Sequence, residues 1–334
     1  MGLALALALT MAGCAGGETA GAGEDGPRAQ ASVTETEGPA LEKLSYTFDP
    51  HVISREYALI YGEEIEGEFF SFCDAILSGS RTMPCGSRER LFQMLEISDT
   101  CFPLAAEVID KENTRVEKGV CYLAYLPEES ELPAILSQFQ EKVTAVITAA
   151  VPYEAPDFIK AMELYTAVAR KDSYDQGYTL DDSLNIKSYR AIMEDTGICQ
   201  EITGEYIYYL LQAGIDAIPC SALNRDQSEA HVWALVRLNG NWYHVDPTYA
   251  TAYPHSLFFF GMNDTQREYY GDLPAEQFTY ANTDELDREQ FRAEDRSFVD
   301  FWLAETYQIH HRDREISVRE VNTGEEHTVP YPLP

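Results

Sequence analysis

The chain has 334 residues, of which 45% are hydrophobic and 12% aromatic, with 21 tyrosines, enough apolar material for one large packed body or two modest ones. A formal charge of −32 and an isoelectric point near 4.4 give a surface that repels phosphate backbones. This argues against a nucleic-acid partner and favours basic or neutral ones.

In chain order, Met1 to Gly13 form an apolar Leu/Ala run that closes on Met11-Ala12-Gly13-Cys14. The run is shorter than the ~20 residues of a membrane-crossing helix, so residues 1–13 are expected to be a signal peptide. Ala-Gly-Cys resembles the lipobox of bacterial lipoproteins, although Met11 stands where that pattern usually has Leu and no Lys or Arg precedes the run. The missing basic region suggests a translation start further upstream. The resemblance implies that Cys14 carries lipid and anchors an extracytoplasmic protein to the bacterial cell membrane. Residues 14–40, rich in Gly, Ala, Glu, Thr and Ser, hold no aromatic residue and cannot offset the cost of ordering, so a flexible tether is expected.

Residues 41–180 read as a mostly helical N-terminal region. Tyr57, Ile60 and Tyr61 have helical spacing within Glu56 to Leu77, and Gly119 to Leu126 reads as a buried strand. Pro133 to Ala150 and Pro156 to Arg170 read as amphipathic helices, each with proline near its first turn. Cys73, Cys85, Cys101, Cys121 and Cys220 remain once Cys14 and Cys199 are set aside. Export permits disulfides, and Cys73–Cys85 and Cys101–Cys121 are the first pairs to test, although spacing does not fix connectivity. No His/Cys spacing suggests a zinc site, so neither a metal nor a cofactor is expected.

From Ser188 the local signals fall into a clear order. Cys199 to Ala213 places Ile202, Tyr206, Tyr209, Leu210 and Ala213 on one helical face, with Gly214 as the stop. Ala217 to Leu223, His231 to Leu238 and Trp242 to Thr248 follow as strands, the last two joined by Asn239-Gly240, a strong hairpin signal. One helix followed by an antiparallel sheet is α+β organisation.

A thiol is nucleophilic once ionised, which a helix N-terminus and a neighbouring histidine both favour. Cys199 stands where the helix begins. Strand alternation puts His231, Trp233, Leu235 and Arg237 on one side, and Trp242, His244 and Asp246 on one side of the partner strand. If the two sides coincide, Asp246 can orient the His231 ring. His244, two residues from Asp246 on the same strand, is expected to be structural or at the pocket edge. His310-His311 read as a solvated face, and His51 and His255 carry no signal.

Residues 189–249 resemble the transglutaminase-like domain of bacterial surface proteins. The pattern consists of Tyr189, Cys199 ten residues later, Ala213-Gly214-Ile215, His231-Val232-Trp233 and Gly240-Asn241-Trp242-Tyr243-His244-Val245-Asp246-Pro247-Thr248. Leu257 to Phe260 stands where the family has its next strand, and Asn263-Asp264 resembles the turn after it. The resemblance implies a papain-like α+β core at residues 181–275, with 276–334 as a C-terminal extension. It also implies a Cys199–His231–Asp246 triad that works through a thioester on protein or peptide amides, by transamidation, deamidation or hydrolysis. Tyr189, Gln200, Trp233, Trp242 and His244 are the candidate substrate-pocket residues. A non-catalytic surface binding module and a cysteine protease of peptides are the alternatives. Glu201 departs from the small residue usual just after the cysteine: facing the thiol it would oppose thiolate formation, and facing solvent it would complement the helix dipole.

Overall fold

The computed structural model describes residues 43–177, 187–283 and 286–331. The expected signal peptide, Cys14 and the tether lie outside the described residues.

Gly62 divides the first expected helix. At φ +87° it ends α1 (Glu56–Tyr61), and α2 (Ile65–Leu77) starts anew. After β1 (Thr82–Pro84), Ser87 accepts from the N–H of Arg90 and caps α3 (Arg88–Cys101). Next come α4 (Leu104–Val108), β2 (Arg115–Glu117) and β3 (Val120–Tyr122), so β3 covers only 120–122 of the expected 119–126 strand. The two amphipathic helices appear as α5 (Leu132–Ala150) and α6 (Asp157–Lys171). The short β4 (Ser173–Tyr174) then pairs in parallel with β5 (Thr196–Gly197), which follows α7 (Ser188–Glu194).

The centre is α8 (Cys199–Gln212), which is buried from Glu201 to Gln212. A helix covered on every side belongs inside a fold, and α8 packs on α3, α6, α7 and the main sheet. Gly204 permits the closest approach: a Cβ there would lie 1.9 Å from Ser188 Oγ and 2.9 Å from Ser188 Cβ. Gly204→Ala should therefore lower stability by about 1–3 kcal/mol through overpacking. An unchanged urea midpoint would refute this account of the α7–α8 contact.

The main sheet is antiparallel in the order β8-β7-β6-β9: β6 (Ala217–Leu223), β7 (Ala230–Leu238), β8 (Asn241–Val245) and β9 (Thr279–Tyr280). Asn239 and Gly240, both at positive φ, make the tight β7–β8 turn. The strand expected to run on to Thr248 stops at Val245, because Asp246 and Pro247 open α9 (Pro247–Ala250). Residues 257–260 form turns rather than the expected strand, and Asn263 caps α10 (Asp264–Tyr269). The C-terminal region forms its own antiparallel sheet of β10 (Ala304–His310), β11 (Glu315–Glu320) and β12 (Glu326–Pro330). The described residues from 43 to 331 cluster as one compact unit.

The expected disulfides do not form: Cys73, Cys85, Cys101, Cys121, Cys199 and Cys220 are all free thiols. The neighbouring buried thiols are Cys73 with Cys101 and Cys85 with Cys121, which is a different pairing. Tertiary packing, not sequence spacing, sets which thiols meet.

Candidate active site

Cys199 is the first residue of α8, preceded by the extended Ile198. Among the six described cysteines it alone is not buried. The first N–H groups of a helix have no acceptor within it and carry partial positive charge, which favours an anion at this position.

The β7–β8 register pairs Ala234 with Val245 and Leu235 with His244. Continued by one residue, it sets Trp233 across from Asp246, so His231 and Asp246 share a face as diagonal neighbours. His231 Nε2 meets Asp246 Oδ2 at 2.6 Å, and the Cys199 side chain lies beside the ring. With Nε2 committed to the carboxylate, Nδ1 is the nitrogen left for sulfur. The structure thus brings Cys199, His231 and Asp246 together.

The electrostatics follow from this arrangement. Burial alone would push the His231 ring towards neutrality, but the Asp246 charge and hydrogen bond outweigh it and raise the pKa to about 9. Burial would likewise keep Asp246 protonated, yet His231, Arg267 and the Tyr249 N–H hold it below the ordinary carboxylate range. Asp246 Oδ1 accepts that Tyr249 N–H at 3.0 Å, so one carboxylate caps α9 and fixes the imidazole.

Glu201 takes neither course open from sequence. It is buried and paired with the Arg190 guanidinium, with Nε to Oε1 at 3.0 Å. It accepts the N–H of Ile198 at 3.0 Å, closing the N-terminus of α8, and the N–H of Lys187 at 3.2 Å. Arg190 in turn reaches Asp175 at 2.8 Å. Glu201→Ala should therefore cost about 2 kcal/mol, as a lost cap and a broken ion pair, and leave the rate of Cys199 alkylation unchanged. Faster alkylation in that variant would mean that Glu201 does oppose the thiolate.

The expected pocket residues are dispersed. Gln200 is half-buried and lines a cavity of about 340 Å³ with Tyr57, Phe92, Glu96 and Asp99, one residue from the thiol. Trp233 is fully buried and donates its indole N–H to His244 Nδ1 at 2.8 Å. His244 Nε2 donates to Asp264 at 3.0 Å, and burial holds the ring below its ordinary pKa. His244 is thus a neutral strut between sheet and α10. Trp242 packs on Phe291 at 5.5 Å, and the Tyr189 ring stacks on Phe139 at 5.7 Å. None of Tyr189, Trp233, Trp242 and His244 lines the cavity beside Gln200.

Residues 143–247 match the model of the transglutaminase-like superfamily, a span from α5 to the start of α9 that contains Cys199, His231 and Asp246. The chain carries a transglutaminase-like domain. No curated protein matches the chain. Among solved structures, a candidate cysteine protease from Cytophaga hutchinsonii is 14% identical, with 39% of this chain and 50% of that one covered at a TM-score of 0.28. A TGase is 12% identical, with 41% and 43% covered at a TM-score of 0.29. The chain therefore spans half or less of the length of either.

Two residues next to His231 and Asp246 went unseen in the sequence, Tyr249 and Arg267. The Tyr249 ring stacks on His231 with centroids 4.5 Å apart. Arg267, on α10 beyond the matched span, is fully buried with an Nη2 3.1 Å from Asp246 Oδ2. No spacing rule marks an arginine in a polar, tyrosine-rich turn as internal.

Proposed function

We propose that this protein is a surface-anchored thiol acyltransferase or hydrolase that acts on protein or peptide amides through a thioester on Cys199. One observation carries the reading: a helix-tip thiol beside an imidazole whose far nitrogen is held by a buried carboxylate at 2.6 Å. In the first half-reaction the Cys199 proton passes to His231, and sulfur adds to the carbonyl carbon. The resulting oxyanion accepts the backbone N–H of Cys199. Collapse breaks the C–N bond, and the nitrogen leaves with the proton from His231. In the second, His231 takes a proton from water or an amine, which attacks the thioester, and sulfur departs as the thiolate. The papain-like arrangement and lipid attachment through Cys14 belong to the same proposal. The pairing of Glu201 with Arg190 supports it, since the one acidic residue beside the nucleophile is already neutralised.

The test incubates the protein with a glutamine peptide and a primary amine and reads products by mass spectrometry. Cross-linked peptide means transamidation, glutamate at the same position deamidation, and shortened peptide proteolysis. Absence of all three, from protein whose thiol alkylates like free cysteine, would favour the binding-module reading. Loss of lipid label in Cys14→Ser tests the anchor.

A further inference from the structure

Arg267 and His231 converge on the same atom. Asp246 Oδ2 lies 2.6 Å from His231 Nε2 and 3.1 Å from Arg267 Nη2, and the Arg267 and Asp246 side chains are both fully buried. The two cationic groups also share a pair of rings. The guanidinium carbon lies 4.4 Å from the centroid of Trp233 and 5.3 Å from that of Tyr249. The imidazole stacks on the same two at 5.9 Å and 4.5 Å. Nη1 donates to the Tyr270 carbonyl at 3.1 Å, which fixes the guanidinium plane. A buried arginine is costly unless paired, and here the only carboxylate hydrogen-bonded to the candidate base is its partner.

We propose that Arg267 is a positioning residue of this site, which neutralises Asp246 so that His231 exchanges protons with Cys199 at zero net charge. The inference rests on the acyl-transfer reading. With thiol and neutral imidazole, Asp246 and Arg267 cancel; with thiolate and imidazolium, four charges cancel. Without Arg267 the resting centre would hold an uncompensated carboxylate. The imidazole would then bind its proton more tightly and release it less readily to a leaving nitrogen. The other titratable groups facing the cluster are Tyr249 on α9, His244 on β8, Asp264 on α10, Cys220 on β6 and Tyr165 on α6. Burial holds the tyrosines and Cys220 protonated near neutral pH, and His244 stays neutral, paired with Asp264.

The experiment follows the His231 ring by NMR across pH, on protein whose Cys199 has first been blocked with iodoacetamide. Arg267→Gln should raise the imidazole midpoint by about one pH unit or more. Arg267→Lys, which restores the charge, should bring it back to within about half a unit of wild type. An unmoved midpoint in Arg267→Gln would make the arginine merely structural and overturn the proposal. If Arg267→Gln does not fold, Arg267→Met, which fills the slot between the rings without charge, replaces it. If neither folds, Arg267→Lys decides by the same titration: a midpoint within about half a unit of wild type supports the charge role, and one displaced by about a unit or more despite the restored charge overturns it. A wild-type Cys199 that alkylates as an ordinary thiol would defeat the acyl-transfer reading instead, and the imidazole titration, run on blocked protein, would still report on Arg267.

Discussion

Cys199→Ala should abolish product formation, lowering any measurable turnover by about 10⁵ or more, as removal of a triad nucleophile does elsewhere. The fold should survive this change. The side chain is only partly covered, and alanine is the best helix former at this first position of α8. The comparison is mass-spectrometric product yield against the circular dichroism spectrum and melting midpoint of the same sample. Turnover retained in Cys199→Ala would remove the thioester from the account.

Asp246→Asn should reduce the rate by about 10⁴, by analogy with serine triads in which the same exchange leaves the imidazole in the wrong tautomer. Here the effect has a second part. The carboxylate accepts from His231 and from the Tyr249 N–H and pairs with the Arg267 charge, whereas a carboxamide has one accepting oxygen, turns an N–H₂ towards a donor and carries no charge. Arg267 would also be left buried without its counter-charge, at a cost of about 3–5 kcal/mol. The rate must therefore be expressed per titratable Cys199, with stability measured separately by urea. A full-rate Asp246→Asn, or one as stable as wild type, would contradict this geometry.

The same groups set the pH dependence of folding. His231 is raised to about 9 in the fold, so its contribution is complete below the unfolded value of about 6.5 and is lost as pH rises through 9. Asp246 is depressed, so its contribution is present above about 3.9 and is lost as pH falls through its folded value. His244, held neutral by burial, adds an acid-side penalty below about 6.5, where the unfolded chain binds a proton that the folded one resists.

What the sequence disclosed was whatever short-range chemistry dictates. The helix after Cys199 carries its own apolar period and a glycine stop, and Asn239-Gly240 sets a two-residue turn. Those two signals suffice to put His231 and Asp246 on one sheet face. The break at Gly62 was missed because the apolar period resumes in phase enough to read as one helix. The run 119–126 looked like a long strand, yet β3 holds only 120–122, since the partners on either side are themselves three residues long, and Tyr125 pairs with Ile109 as an isolated bridge. Trp233 and His244, expected around substrate, instead satisfy each other inside the sheet, and Trp242 packs on Phe291. Glu201 could be placed only with Arg190, on the neighbouring helix α7, in view. Arg267 is the extreme case: a charged residue in a polar segment reads as surface until the carboxylate it neutralises is known to be buried.

Wild-type and His231→Ala protein, alkylated with iodoacetamide over a range of pH, give the most direct test. The Cys199–His231 pair predicts that wild-type Cys199 alkylates faster than Cys199 of His231→Ala at neutral pH, because the imidazole takes the thiol proton. The wild-type profile should inflect near 9, as the imidazole loses its proton. His231→Ala should lack that inflection. Identical profiles for the two proteins would contradict the account.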